Sequence, residues 1–174
     1  MSNDLISDEA LEVQVGEWLR RRALKLVAAE SCTGGLLGHR LTEVPGSSDY
    51  FLGGIVAYAN EAKERLLGVQ HDTLVRCGAV SEEAALEMAR GARLALAGAF
   101  PIDRLVGVSI TGIAGPGGGT PVKPVGLTWI GLSTPEGDRA WKYIWNGSRA
   151  ENKALSVVEA LKLLLDYLQE NTVQ

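Results

Sequence analysis

The apolar residues of this chain follow two patterns that take turns along the sequence. Short continuous runs predict strands, and positions that return at a helical spacing predict helices. Short apolar runs at residues 24–29, 53–58 and 105–110 are typical of buried strands. The first two runs end in turn-forming residues, after which the apolar positions follow a helical spacing. This order of strand, turn and helix predicts an α/β fold, in which ligands bind beyond the carboxyl ends of the strands.

Helices are predicted where apolar residues return every three or four positions. In chain order they run from Ser7 to about Arg22, over 36–41, over 61–67 with Asn60 as the cap, onward from a cap at Ser81, and over 155–168. Near the end of the chain, segments 126–132 and 140–145 flank a turn at 135–138, which predicts an antiparallel hairpin.

Composition narrows the classes of protein that this chain can represent. With 174 residues, 46% of them hydrophobic, residues 1–174 are expected to form one domain with a buried core. The net charge of -4 argues against nucleic acid as a partner, while small anions stay compatible with it. No apolar run approaches the roughly 18 residues of a membrane span, so no membrane contact is expected.

Cysteine usage and the acidic first residues indicate a cytoplasmic protein. Cys32 and Cys77 have no paired spacing, and residues 1–12 carry acids where a secretory signal would be basic and then apolar. His39 and His71 lie apart from each other and from clusters of possible ligands, so no metal site is expected.

Ser31 lies where the first strand passes into a helix. Its hydroxyl is expected beside backbone amides that can receive an oxyanion or a phosphate, which makes Ser31 a candidate nucleophile for acyl transfer. The alternative is that Ser31 and Thr33 only cap the helix. Cys32 is intrinsically more nucleophilic, but neither histidine has a spacing that suggests a pair, so a buried core position is expected for it.

Tyr58 and Lys63 flank the second junction between a strand and a helix. A lysine there is either solvated or, when desolvated beside a pocket, a neutral base. The phenol of Tyr58 either orients such a lysine or packs in the core. The residues alone leave both alternatives open.

The segment at 111–120 contains glycines but fits neither nucleotide-binding template. Gly112 and Gly117 have the offset of a P-loop, but Gly118 and Gly119 replace its Lys-Ser/Thr pair, and Thr120 breaks a dinucleotide pattern. The segment is therefore either a backbone cradle for a ligand or a flexible surface loop. Nearby side chains that offer a hydroxyl or a positive charge are Thr111, Lys123, Arg149 and Lys153.

Five motifs in register connect the chain to a known family. They are AESCTGG at 29–35, GGIVAYANEAK at 53–63, GAVSEE at 78–83, TGIAGPGGGT at 111–120 and KPVG at 123–126. Together they resemble the CinA C-terminal family over nearly the whole chain, from about Glu9 to Leu168. Stand-alone members of that family are nicotinamide-nucleotide amidohydrolases.

The resemblance implies a three-layer α/β/α sandwich whose mixed, mostly parallel sheet has about five strands, one of them antiparallel. It implies deamidation of nicotinamide mononucleotide to nicotinate mononucleotide and ammonia in pyridine-nucleotide salvage, without a cofactor. Ala59 departs from the family, which commonly has serine there. The larger N-terminal domain of many relatives is not part of this sequence, so a single-domain deamidase is expected.

The resemblance also places catalytic roles on Ser31, Tyr58 and Lys63. Neutral Lys63, assisted by Tyr58, is expected to take the proton of Ser31, which attacks the carboxamide carbon while amides around Thr33 to Gly35 hold the oxyanion. The expected substrate-binding residues are Thr33, Gly34, Gly35, Asn60, Thr111, Gly112, Gly115, Gly117 and Arg149.

Two rival functions stay open at this stage. In one, the domain is a non-catalytic nucleotide-binding module of the competence-damage type, and Ser31 only caps a helix. In the other, Ser31 attacks a different amide, because the loops carry no readable code for the base or the phosphate. The alanine-rich helical surface also predicts a homo-oligomer.

Overall fold

A five-stranded sheet lies at the centre of the computed structural model, which describes residues 10–170. The elements in chain order are α1 (Leu11–Arg21), β1 (Lys25–Glu30), α2 (Leu36–Thr42), β2 (Phe51–Val56), α3 (Asn60–Leu67), α4 (His71–Arg76), α5 (Glu82–Leu94), β3 (Leu105–Gly112), β4 (Leu127–Thr134), β5 (Gly137–Ile144) and α6 (Arg149–Glu170).

The strand order is β2-β1-β3-β4-β5. β1 pairs in parallel with β2 and β3, whereas β4 is antiparallel to both β3 and β5. Only β4 therefore runs against the other strands of the sheet, which confirms the predicted mixed sheet with one reversed strand. The carboxyl ends of β1, β2 and β3 meet at one edge, and that edge is where a ligand site is expected.

Helices cover both faces of the sheet, because successive side chains of β1 point to opposite sides. Leu26 and Ala28 belong to a core shared with α1, α2 and α6. Val27 and Ala29 belong to a second core shared with α3, α4 and α5. The predicted three-layer α/β/α arrangement is confirmed.

The helix α5 lies unusually close to its neighbours. A Cβ atom at Gly107 of β3 would lie 2.0 Å from the carbonyl oxygen of Ala89, and one at Gly91 would lie 1.9 Å from that of Leu67. The hydroxyl of Ser109 donates to the carbonyl oxygen of Ala85 at 2.6 Å. These close approaches require glycine, and they fix α5 on the sheet.

The structure confirms one predicted helix cap and corrects another. Ser81 caps α5 as predicted, with its hydroxyl accepting from the amide of Ala84. Asn60 is not a cap but the first residue of α3, because Ala59 takes the extended backbone of the cap position. The short helix α4 was not predicted, and the predicted start at Ser7 lies outside the described residues.

None of the helices within residues 10–170 combines the length and the apolar character that crossing a membrane requires.

Candidate active site

A cleft of about 270 Å³ lies at the carboxyl ends of β1, β2 and β3. Most of the predicted site residues line it, namely Ser31, Tyr58, Asn60, Lys63, Thr111, Gly112, Gly115, Gly117 and Arg149. The sequence-predicted residues Thr33, Gly34 and Gly35 do not line the cleft. The parallel pairing of β1 with β2 brings the segments that carry Ser31 and Lys63 together.

Ser31 and Lys63 are in direct contact in the floor of the cleft. The Nζ atom of Lys63 lies 3.0 Å from the Oγ atom of Ser31. Lys63 is 1% exposed and Ser31 is 8% exposed. Lys63 belongs to the first turn of α3, and a helical side chain leans back toward the start of its helix, which directs this amine to the end of β2.

The surroundings of Lys63 suit a neutral amine. Besides Ser31, its Nζ atom contacts the carbonyl oxygens of Ala57 at 3.0 Å and Tyr58 at 3.1 Å. Protonated Lys63 donates to Ser31 Oγ and to both carbonyl oxygens. Once the amine has lost a proton, its two remaining hydrogens serve the carbonyls, and its lone pair is available to accept the Ser31 hydroxyl proton. Burial lowers the pKa of Lys63 from its ordinary value of 10.5, because desolvation disfavours the charged form.

Glu30 holds the turn that follows β1. Its Oε2 atom accepts from the amides of Gly35 at 3.1 Å and Leu37 at 3.0 Å, and its Oε1 atom accepts from that of Gly38 at 2.9 Å. Glu30 itself is 1% exposed. A carboxylate from the end of the strand therefore supplies the acceptors that the start of α2 needs.

The alternative in which Ser31 and Thr33 cap α2 is wrong. The cap position belongs to Gly35, whose φ of 99° lies in the left-handed region that favours glycine. The Ser31 hydroxyl bonds to Lys63, and the buried Thr33 hydroxyl has no hydrogen-bond partner within residues 10–170.

The amides expected to hold the oxyanion are partly occupied. The Gly34 amide donates to the carbonyl oxygen of Ser31 at 3.1 Å, and the Gly35 amide donates to Glu30. The amide of Ser31 donates to the carbonyl oxygen of Ile110 at 2.9 Å. Within the expected segment from Thr33 to Gly35, the amides of Gly34 and Gly35 therefore already have acceptors.

Two other backbone amides of the turn after β1 have no hydrogen-bond acceptor in another described residue. No other residue in the described part of the chain accepts a hydrogen bond from the amides of Cys32 and Thr33. Cys32 is buried in the core that β1 shares with α1, α2 and α6, as expected, and it also lines the cleft. Desolvation raises the pKa of its thiol to about 11, so the thiol stays protonated at neutral pH and is a poor nucleophile.

The phenol of Tyr58 does not contact Lys63. It is 59% exposed and its oxygen accepts from Nη2 of Arg149 at 2.8 Å. Nη1 of the same arginine donates to the carbonyl oxygen of Gly115 at 2.7 Å. Tyr58 therefore supports Lys63 through its backbone carbonyl, and its side chain joins Arg149 at the rim of the cleft.

The first part of the segment at 111–120, up to Gly115, lines the cleft and is held in place, whereas residues 116–120 are exposed. Asn152 of α6 donates to the carbonyl oxygen of Ala114 at 3.0 Å, and the Thr111 hydroxyl donates to that of Ala79 at 2.7 Å. A Cβ atom at Gly112 would lie 2.7 Å from the Leu127 carbonyl oxygen, so only glycine fits there.

Sequence reasoning missed two residues that organise this site. Glu30 belongs to the motif at 29–35, but the sequence predicted no role for it. An acid directly before a glycine-rich turn that leads into a helix is nevertheless a signal that its carboxylate caps the backbone amides of that helix. Asn152 carries no such signal, because its partner Ala114 lies far away along the chain.

Lys123 and Lys153, which the sequence suggested as positive charges near the site, do not line the cleft. The amine of Lys123 donates to the carbonyl oxygen of Cys77, outside the cleft. The amine of Lys153 lies 4.0 Å from where a Cβ atom of Gly34 would be. Within residues 10–170 no group of three or more histidine, cysteine, aspartate or glutamate side chains is arranged to hold a metal ion.

The fold and the site define an α/β domain with a buried serine–lysine pair at its strand ends. The CinA C-terminal domain family matches residues 8–168, and the chain belongs to that family. It is 50% identical over 169 residues to a CinA-like protein of Chlorobaculum tepidum and 49% identical over 155 residues to one of Salinibacter ruber. These matches cover 94% and 89% of this chain but only 38% and 36% of the two relatives.

Solved structures of the same superfamily share the fold. A CinA superfamily protein of Klebsiella pneumoniae matches with a TM-score of 0.84 and 32% identity, over 92% of this chain and 96% of that one. The competence/damage inducible protein CihA of Agrobacterium tumefaciens matches with a TM-score of 0.76 and 38% identity, over 90% and 96%.

Proposed function

We propose that this protein is a cytoplasmic amidohydrolase that converts nicotinamide mononucleotide to nicotinate mononucleotide and ammonia. Ser31 is the nucleophile and Lys63 is the base. The observation that carries the proposal is the 3.0 Å contact between Ser31 Oγ and the buried amine of Lys63. Membership of the CinA C-terminal family supports it, and the choice of substrate follows from the resemblance to stand-alone members.

The first half of the reaction forms an acyl-enzyme. Neutral Lys63 accepts the proton of Ser31 as the Ser31 oxygen bonds to the carboxamide carbon. The amide of Cys32, a residue that lines the cleft, donates to no other described residue and is the donor nearest along the chain to the developing oxyanion. Protonated Lys63 then gives its proton to the departing nitrogen, which leaves as ammonia, and neutral Lys63 is restored.

The second half of the reaction releases the acid. A water molecule replaces ammonia, and Lys63 takes its proton as the water oxygen attacks the acyl carbon. When the tetrahedral intermediate collapses, Lys63 returns the proton to Ser31 Oγ. The carboxylic acid then leaves the site and ionises in solution. Both halves use the same base, so a single amine with a lowered pKa serves the whole cycle.

The phosphate of the substrate needs hydrogen-bond donors or a positive charge at the cleft. Arg149 lies at the rim of the cleft and is held there by Tyr58 and by the carbonyl oxygen of Gly115. A guanidinium has five N–H donors, so donors remain for a phosphate. Arg149 and the backbone of residues 112–118 are therefore assigned to the phosphate end.

Ammonia release from the purified protein tests the proposal. With nicotinamide mononucleotide as substrate, Ser31→Ala and Lys63→Met should each lower kcat by about a thousandfold or more. The matched controls are Ser47→Ala and Lys162→Met, which lie outside the cleft and should keep wild-type rates. Free nicotinamide and the dinucleotide serve as comparison substrates.

Two results would contradict this function. Full turnover by Ser31→Ala would remove the serine mechanism. Binding of nicotinamide mononucleotide by the wild-type protein without any ammonia release would favour the non-catalytic nucleotide-binding module instead.

A further inference from the structure

We infer that Glu30 is a positioning residue that sets the reactivity of Ser31 by fixing the turn at residues 31–35. The inference rests on the proposed function, since it concerns the same nucleophile. Glu30 does not line the cleft and touches no substrate, so its effect is exerted through the backbone. Its predicted signature is a loss of rate without a loss of substrate affinity.

Glu30 ties the end of β1 to the first turn of α2. Both of its carboxylate oxygens are used, and the three amide contacts lie between 2.9 and 3.1 Å. The backbone between these anchor points is the turn that carries Ser31. Ser31 follows Glu30 directly in the chain, so a displacement of the Glu30 backbone moves the nucleophile against Lys63.

The charge of Glu30 is balanced by backbone dipoles alone. No lysine, arginine or histidine side chain forms an ion pair with it within residues 10–170. Three amide donors at a helix start are a favourable environment for a buried carboxylate, because the partial positive charge of the helix adds to the hydrogen bonds. A neutral side chain of the same size lacks this attraction.

Glu30 also decides which amides stay free for the reaction. It occupies the amides of Gly35, Leu37 and Gly38, while the Gly34 amide is taken by the carbonyl oxygen of Ser31. The unoccupied donors are therefore the two amides immediately after Ser31. Of these two residues, Cys32 lines the cleft, so an acceptor bound beside Ser31 finds a free donor next to the nucleophile.

The test uses Glu30→Gln and Glu30→Asp in the full chain. The glutamine amide offers one acceptor oxygen and an NH₂ group that cannot accept, so at least one of the three amides loses its partner. We expect Glu30→Gln to lower kcat about 10- to 100-fold with KM changed less than about threefold, since misplacement of a reacting group costs this much in rate. Glu30→Asp keeps the carboxylate and should recover part of kcat.

The matched control is Glu87→Gln. Glu87 likewise holds the start of a helix, accepting from the amide of Gln70 at 2.8 Å and the hydroxyl of Thr73 at 2.7 Å, but it lies outside the cleft. It should lose stability comparable to that of Glu30→Gln while keeping wild-type kcat at temperatures where the protein is folded.

A second readout separates this inference from the proposed function. The rate at which a serine-directed phosphonate modifies Ser31 should fall in Glu30→Gln in parallel with kcat, whatever the natural substrate is. A wild-type protein that releases no ammonia but is phosphonylated faster than Glu30→Gln would refute the proposed substrate and support the positioning role. The positioning role of Glu30 would be overturned if folded Glu30→Gln and Glu30→Asp kept both the wild-type rate of phosphonylation and the wild-type kcat. A rise in KM alone would overturn it as well.

Discussion

At the scale of single residues, the proposed reaction depends on the protonation of Lys63. The amine contacts two carbonyl oxygens and one hydroxyl, and no carboxylate pairs with it in the part of the chain that the structure describes. A neighbouring carboxylate would favour the charged form, so its absence and the burial of the amine act in the same direction.

The proposed amidase activity should therefore rise with pH. Only neutral Lys63 accepts the Ser31 proton, and burial moves the pKa of Lys63 below 10.5, so the active form appears at lower pH than for a solvated lysine. We expect kcat/KM to increase with pH and to level off once Lys63 has lost its proton. A profile measured from about pH 6 to about pH 10 checks this. A kcat/KM value that falls steadily over that range would contradict the assignment of Lys63 as the base.

The resemblance to the CinA C-terminal family predicted Ser31 and Lys63 as partners, but it did not give the orientation of the Tyr58 side chain. Whether a residue at the end of a strand presents its side chain or its carbonyl to the site depends on the local backbone. At Tyr58 the carbonyl faces the lysine and the phenol faces Arg149. Likewise, the amides that Glu30 occupies depend on the path of the turn, which residue types alone do not specify.

At the scale of elements, the close packing of α5 against α3 and β3 decides the effect of substitutions. Replacing an exposed glycine within a helix by alanine normally stabilises the protein by about 1 kcal/mol. At Gly91 of α5, however, the added Cβ would lie 1.9 Å from the carbonyl oxygen of Leu67 at the end of α3. The close approach of the two helices outweighs the gain in helix propensity.

We therefore expect Gly91→Ala to destabilise the protein by about 1–3 kcal/mol. The two helices must move apart to admit the methyl group, and burial between them is lost. Urea unfolding followed by circular dichroism measures the change. A higher unfolding midpoint in the variant would show that the normal helix preference prevails and that α3 and α5 are free to separate.

Element types were predictable from periodicity, while short elements and exact ends were not. The buried strands β1 and β3 and the long helix α6 have strong patterns, and the structure contains them. The helix α4 has six residues, too few for an apolar repeat to stand out. Thr111 and Gly112 extend β3 because they pair with β4, a contact that the glycine-rich local sequence does not indicate.

At the scale of the whole molecule, the two helical layers depend on one sheet. Leu161 of α6 and Met88 of α5 are both fully buried, in the cores on opposite faces. β1 contributes side chains to both cores in alternation, so neither core can lose its packing without disturbing this strand.

Loss of either core should therefore weaken the same unfolding transition. We expect Leu161→Ala and Met88→Ala each to lower the free energy of unfolding by about 2–5 kcal/mol. Thermal curves from far-ultraviolet circular dichroism and from tryptophan fluorescence should coincide in the wild type and in both variants. Separate transitions for the two probes would mean that the layers unfold independently.

The position of β1 between β2 and β3 has a consequence for the newly made chain. Ser31 and Lys63 leave the ribosome before β3, yet the amide of Ser31 is anchored by Ile110 on that later strand. A nascent chain that ends before β3 carries both reacting groups without the support that aligns them. The proposed amidase site is thus completed late in biosynthesis, when β3 joins β1 and β2 in the sheet.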